Sequence, residues 1–213
     1  MSAADRVPLR VSGLDNARDA VVQRLRLACL SRPIIGITGP VGSGKSTLAQ
    51  RICGTVGGLV ISTDRYLPDY ERVPAADRDL PEHSDLDRLA ADLAELADSG
   101  RATIPRWSFH EHRRVGEDGV TATGPIICEG IFALHDTVAR GISVGVFVDA
   151  APSTRWQRWE AIETSGARGW GVETARTHFE TVAEPTFRRF EAEYRRHADI
   201  VVFNEDDRGS REP

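Results

Sequence analysis

Gly39-Pro40-Val41-Gly42-Ser43-Gly44-Lys45-Ser46-Thr47 decides the reading of this chain. Its spacing is GxxxxGK[ST]. It follows an apolar run, Pro33-Ile-Ile-Gly-Ile-Thr38, and opens a helical pattern from about Lys45 to Cys53. A strand, a glycine-rich loop and a helix in that order make a phosphate-binding loop. Gly39, Gly42 and Gly44 let the backbone curl, so that successive N–H groups point at one anion. The helix opening near Lys45 adds the positive end of its dipole. Pro40, Val41, Ser43 and Thr47 complete the cradle. Lys45 is expected to reach the β- and γ-phosphates of a nucleoside triphosphate, and the Ser46 hydroxyl to ligate Mg²⁺.

Composition points the same way. Of 27 basic residues 26 are arginine, and the single lysine is Lys45. A compact ammonium on a flexible stem does what a planar guanidinium cannot, which explains one lysine in an arginine-using chain. The 213 residues are 40% hydrophobic, enough to bury a full core. A net charge of −5 argues against a dedicated nucleic-acid or membrane-surface binder and for a small soluble substrate. No apolar run approaches the ~18 residues of a membrane span, and Met1 to Pro8 lacks the apolar core of a secretion signal. Cys29, Cys53 and Cys128 form no CxxC pair, so the expected compartment is a reducing cytoplasm.

Outward from the loop, strands alternate with helices. Residues 14–30 carry Leu14, Ala17, Val21, Leu25 and Ala28 on one face, with Pro33 closing that helix. Leu59-Val-Ile-Ser62, Pro125-Ile-Ile-Cys128, Val144-Gly-Val-Phe-Val148 and Ile200-Val-Val-Phe203 read as further strands. Residues 66–83, rich in proline and charge, read as a surface loop. Ser84 is the expected N-cap of a helix bearing Leu86, Leu89, Leu93 and Leu96, which Gly100 stops. Residues 101–124 read as a hairpin. A helix starts near Ser153, another runs from 172 to 197 with a bend at Pro185, and the tail from Glu205 frays. The pattern predicts an α/β P-loop fold: one domain over 1–213 with a mostly parallel five-stranded sheet, helices on both faces and a hairpin insertion.

Five further segments narrow the class: Ser62-Thr-Asp64-Arg-Tyr66, Glu82-His-Ser-Asp85-Leu-Asp87, Pro105-Arg-Trp107-Ser-Phe109-His110-Glu-His112-Arg113, Ile127-Cys-Glu129-Gly130-Ile131 and Glu184-Pro185-Thr-Phe187-Arg-Arg-Phe190. No NKxD guanine-reading motif is present. Taken in order over residues 33–204, the series resembles the uridine kinase family, within the group that includes phosphoribulokinase and bacterial pantothenate kinase.

Asp64 follows a strand end beside the loop, where open α/β sheets bind ligands, and a carboxylate there can take the proton of an attacking hydroxyl. The resemblance makes it the catalytic Asp. Glu129, ending another strand, suits a direct or indirect Mg²⁺ role. The resemblance further implies a base-binding segment in which Trp107 and Phe109 stack, His112 bonds the base edge and Arg113 holds the sugar or a neighbouring acid. Tyr66 joins the acceptor site, and Glu82, or else Asp85, grips ribose hydroxyls. A lid over about 153–170 supplies Arg155, Arg158 and Arg168 to the transferring phosphate. Two departures stand out: Trp107-Ser108 where Tyr-Asp is usual, and Ile162-Glu163 where Arg-Asp is usual. The expected activity is ATP- and Mg²⁺-dependent phosphorylation of a nucleoside 5′-hydroxyl. Another alcohol acceptor (pantothenate, a sugar phosphate or a modified nucleoside) and a non-kinase ATP-binding regulator stay open, as does a homo-oligomer.

Overall fold

Short apolar runs pair in parallel to form the central layer. The computed structural model describes residues 7–27, 30–166 and 169–205. Six strands lie side by side: β1 (Leu9–Ser12), β2 (Ile34–Thr38), β3 (Leu59–Ser62), β6 (Ile126–Glu129), β7 (Val144–Asp149) and β8 (Ile200–Phe203). Their spatial order is β1-β8-β7-β2-β6-β3, and every pair is parallel. Strand β2 sits in the middle with all five residues buried, Ile35 facing Ile127 of β6 on one side and Val144 of β7 on the other. From β2 the chain goes out to β3, returns to β6 between them, then crosses to β7 and β8. The loops at the C-terminal strand ends around β2 therefore open a crevice.

Alternate residues of the strands face opposite layers. Ile35, Ile37, Ile127, Val146 and Val202 pack with Leu14, Val21, Leu48 and Ile52 of helices α1 (Leu14–Leu27) and α2 (Lys45–Val56). On the other face, Ile34, Ile61, Ile126 and Cys128 meet Leu86, Leu89, Leu93 and Leu96 of α3 (Leu86–Ser99). Gly100 stops α3 as expected, at φ 77° with its N–H on the Leu96 carbonyl at 3.0 Å. After β6 come the short α4 (Asp136–Ala139), then α5 (Pro152–Thr164), α6 (Val172–His178) and α7 (Glu184–Arg196).

The hairpin of β4 (Arg101–Ser108) and β5 (Arg113–Thr121) is antiparallel, with a register shift at Arg106/Trp107. It is fastened beside the crevice by Arg65, whose Nη1 donates to the Pro105 carbonyl and to Asp118 Oδ2, both at 2.9 Å.

The structure corrects four expectations. The sheet has six strands, not five: β1 is a solvent-facing edge strand held by its main-chain ladder to β8, so it carries no apolar signature. Residues 66–83 form three tight turns, and Tyr66, Leu67, Leu80 and Pro81 are buried. The cap position before α3 is Asp85, and the Ser84 hydroxyl is buried with no partner among the described residues. The 172–197 helix is helical throughout as expected, but its irregularity is a widened turn at Phe179–Ala183, between α6 and α7, rather than at Pro185 itself. Pro185 follows directly on that turn, where the helical backbone continues through Ala183 and Glu184 and the N–H that proline lacks is missing from the ladder. Of the tail, Glu205 is tied to Ala151 N (2.6 Å) and Thr154 Oγ1 (3.0 Å), and residues 206–213 lie outside the described ones.

Candidate active site

The phosphate loop leaves β2 and enters α2 with Gly44 left-handed (φ 103°) at the helix start. Gly42 is also left-handed (φ 74°), and a Cβ there would lie 2.4 Å from the Arg155 carbonyl oxygen. The first turn of α5 thus rests directly on the loop, and only glycine fits between them. Lys45 is buried, with Nζ donating to the Pro40 carbonyl across the loop at 2.9 Å. The Ser43 hydroxyl is buried and has no partner among the described residues, which is unusual for a buried polar atom and fits a loop built around an anion.

Three side chains brace this loop from behind. Asn204, just past β8, donates Nδ2–H to the Ser43 carbonyl at 2.7 Å. Arg158 donates to the carbonyls of Gly42 (3.2 Å), Ser43 (3.4 Å) and Asn204 (2.9 Å). Arg155 is 4% exposed and pairs through both terminal nitrogens with Glu184, while its Nε donates to Ala150 O at 2.9 Å and Nη1 to Val41 O at 3.4 Å.

Beside the loop lies a cleft of about 350 Å³, within the usual size range for small-molecule sites. Lys45, Ser46, Thr47, Asp64 and Glu129 line one part of it. Asp64 is placed by the turn after β3, where its N–H bonds Ser62 Oγ at 3.3 Å. Glu129, at the end of β6, accepts a bond from Ser46 Oγ at 3.0 Å. That pairing joins the two oxygen donors expected around Mg²⁺. Among the described residues no group of three or more His, Cys, Asp or Glu could hold a metal alone. A cation at Ser46 and Glu129 needs donor oxygens from a phosphate chain, which is how Mg²⁺ is ordinarily held.

The other part of the cleft is aromatic: Tyr70, Phe109, His112, Trp159 and Trp170 line it. Tyr70 stacks flat on His112 (centroids 5.2 Å apart, planes 9° apart). The Trp170 indole donates to His112 Nε2 at 2.9 Å. Indole N–H only donates, so a neutral His112 carries its proton on Nδ1. Burial, then Arg78 and His110, hold the His112 pKa below the ordinary histidine value and favour that neutral form. Asp79 and His178 line the same cleft, with His178 Nε2 3.4 Å from Asp79 Oδ2.

The structure thus gathers Val41, Gly42 and Gly44 to Thr47 of the loop, with Asp64, Glu129, Arg158, Phe109 and His112, at one cleft, and leaves Gly39, Pro40, Ser43 and other expected residues outside its lining. Trp107 is buried behind the wall, its Nε1 on the Pro68 carbonyl at 3.3 Å and its ring edge-on to Tyr70 and Phe109. Its bulk fills the hairpin base instead of facing a ligand. Tyr66 is fully buried and donates its hydroxyl to Asp92 at 2.8 Å; burial and that carboxylate push its pKa up. Arg113 points along the exposed hairpin tip and pairs with Glu111. Glu82 is exposed on its turn, and Asp85 pairs with Arg114 at 3.2 Å. Arg155 is a buried strut and cannot close over a phosphate without breaking its pair with Glu184. Arg168 lies outside the described residues. Sequence reading missed Tyr70 and Asp79 in the segment read as loop, Trp159 and Trp170 in the lid, His178 in the helix after it and Asn204 just past the last strand.

Relatives supply an independent comparison. The model of the Phosphoribulokinase / Uridine kinase family matches residues 34–208. A protein named uridine kinase from Lactobacillus johnsonii is 32% identical over 185 residues, spanning 80% of this chain and 86% of that protein. Another of that name, from Ligilactobacillus salivarius, is 30% identical over 179 residues, spanning 79% and 84%. Among solved structures, a candidate fructose transport system kinase from a Silicibacter species superposes with a TM-score of 0.71 at 17% identity, covering 88% of this chain and 98% of that one. A candidate uridine kinase from Bacillus stearothermophilus gives 0.58 at 18%, covering 89% and 96%. The two structures share the fold, while the family model runs from the strand before the phosphate loop to beyond the last strand of the sheet. On that match, the chain is a kinase belonging to the phosphoribulokinase/uridine kinase family.

Proposed function

We propose that this kinase transfers the γ-phosphoryl group of ATP to the 5′-hydroxyl of a pyrimidine-type nucleoside. One observation carries the reading: Lys45, Ser46 and Asp64 line the same cleft as the wall of Tyr70, Phe109 and His112. A donor half and a planar-ring half therefore meet at one carboxylate.

In this reading the loop N–H groups and Lys45 hold the triphosphate, while Arg158 and Asn204 keep the loop carbonyls turned away from it. Lys45 leaves the Pro40 carbonyl to reach the β- and γ-phosphates. Ser46 and Glu129 would hold Mg²⁺, which when bound neutralises charge between those phosphates. Asp64 orients the acceptor hydroxyl and takes its proton. The acceptor oxygen bonds to the γ-phosphorus as the bond from phosphorus to the β,γ-bridging oxygen breaks, and ADP leaves. Phe109 and Tyr70 offer faces to a ring, and neutral His112 offers one N–H donor from Nδ1 to a ring carbonyl. Asp79, beside His178, is the carboxylate placed to accept from sugar hydroxyls, the role expected of Glu82 or Asp85.

A second reading, another alcohol acceptor, is favoured by the Trp170–His112 bond, which occupies one imidazole edge that would otherwise read a base. An ATP-consumption assay over nucleosides, pantothenate and sugar phosphates separates the two. Asp64→Asn is expected to lower turnover on the preferred acceptor by orders of magnitude with ATP binding retained. Turnover that no alcohol stimulates would overturn both readings.

A further inference from the structure

Behind the aromatic wall lies a second, more open cavity of about 590 Å³. Its lining includes Arg78, Thr174 and Thr177, and it shares two residues with the acceptor cleft: Trp170 and His178. These two rings touch edge to face, with centroids 4.7 Å apart and planes at 85°. The outer space is therefore separated from the inner one by a wall one side chain thick.

Trp170 is held in that wall at both ends. Its indole N–H donates to His112 Nε2 on the hairpin at 2.9 Å, and its main-chain N–H donates to buried Glu163 Oε2 at 3.3 Å. Glu163 also accepts from Trp159 Nε1 at 3.0 Å. The residues on either side, Gly169 and Gly171, have φ of 76° and 77°, a backbone that other residues resist. A tryptophan between two left-handed glycines, bonded to the far side of the cleft, is a built partition.

We propose that Trp170 sets the upper size of the acceptor by closing the cleft against the outer cavity, so that shortening it joins the two spaces and admits acceptors with a polar side arm. The outer cavity has the chemistry for such an arm. Arg78, Glu173 and Thr174 line it with polar side chains, and the Thr177 hydroxyl, which donates to the Glu173 carbonyl at 3.1 Å, can still accept. Arg78 also lies over the Tyr70 ring, 4.4 Å from its centroid, and so reaches the back of the wall. This inference rests on the alcohol-kinase reading above.

The test measures kcat/KM for acceptors that share the reacting alcohol: uridine, and a series of uridines carrying amide-linked arms of increasing length on the base. If the screen above selects another alcohol, its amide-extended homologues replace them. Trp170→Ala is expected to raise the long-to-short ratio by at least about tenfold over wild type, chiefly through KM for the long acceptor. Trp170→Phe keeps the bulk and is expected to stay near the wild-type ratio. Adding Thr177→Trp to Trp170→Ala refills the outer cavity and should reverse the gain. If Trp170→Ala does not fold, Trp170→Leu carries the same comparison. A folded, active Trp170→Ala or Trp170→Leu enzyme with an unchanged ratio overturns the partition alone. A wild type inert on every alcohol overturns the partition together with the kinase reading.

Discussion

Glu184→Ala should unfold this protein at a temperature lower by roughly 10 °C, because it strands a buried guanidinium. The side chains of Arg155 and Glu184 are 5% and 11% exposed, and both terminal nitrogens of the arginine meet the carboxylate. Removing one partner of such a pair leaves an uncompensated charge and costs about 3–5 kcal/mol. In a domain of this size each kcal/mol shifts the midpoint by about 2–4 °C. The remaining acceptors of Arg155, the Ala150 and Val41 carbonyls, bear no full charge and recover only a fraction. Replacing both partners with apolar residues, Arg155→Met with Glu184→Leu, removes the stranded charge and should return most of the loss. The Arg155 carbonyl abuts Gly42, so slackening the strut should also raise KM for ATP more than it lowers kcat. Thermal and urea melts of Arg155→Met, Glu184→Leu and the double variant form a cycle. Single losses below about 1 kcal/mol that simply add would refute the strut.

Three further outcomes are expected. Glu129→Gln weakens the oxygen set it forms with Ser46, so the Mg²⁺ concentration for half-maximal turnover should rise about 10–100-fold; an unchanged Mg²⁺ titration would remove Glu129 from the metal site. Tyr66→Phe takes the hydroxyl from the buried Asp92 carboxylate and should cost about 1–3 kcal/mol in a urea melt while leaving both KM values alone; a shifted acceptor KM would return Tyr66 to the substrate site. The pKa of His112 is lowered in the fold from 6.5, so the unfolded chain binds more protons at that site in the window below 6.5. Its contribution to stability is therefore complete above pH 6.5 and is lost as the pH falls from there through the folded value. His112→Gln should flatten this part of the stability–pH curve, and an identical slope in the two proteins between pH 5 and 7 would contradict the neutral imidazole.

The donor half was legible because its chemistry is local. Nine consecutive residues specify loop, charge and helix start together, and Asp64 follows, and Glu129 ends, an apolar strand, so their place at the C-terminal edge follows from topology. The acceptor half was not legible in the same way, because it is assembled from segments without periodicity. Tyr70 and Asp79 lie in the tight turns between β3 and α3, and the burial of Leu67 and Leu80 pins those turns, but their sequence reads as polar loop. Trp107 shows the converse failure: an aromatic inside a ligand-binding pattern was assigned to the ligand, while the register shift at Arg106/Trp107, which simple alternation does not foretell, turns it onto the buried face with Ala102 and Ile104. Arg155 and Arg158 read as mobile lid cations, yet carbonyls and Glu184 surround them, and no pattern in α5 itself announces a partner in α7. The edge strand β1 went unseen because its stability comes from main-chain pairing, which any residues can supply.

The position of β8 in the sheet has a consequence for how the protein is made. This strand, nearly last in sequence, is inserted between β1 and β7, and the residue after it, Asn204, braces the phosphate loop through the Ser43 carbonyl. During synthesis β1 emerges well before β8 and has no strand to pair with until β8 arrives. The nascent chain can form the central strands and still lack a finished nucleotide cradle. Nucleotide binding is therefore a late event, coupled to the closing of the sheet, and ATP present during folding would stabilise the completed topology over every shorter intermediate.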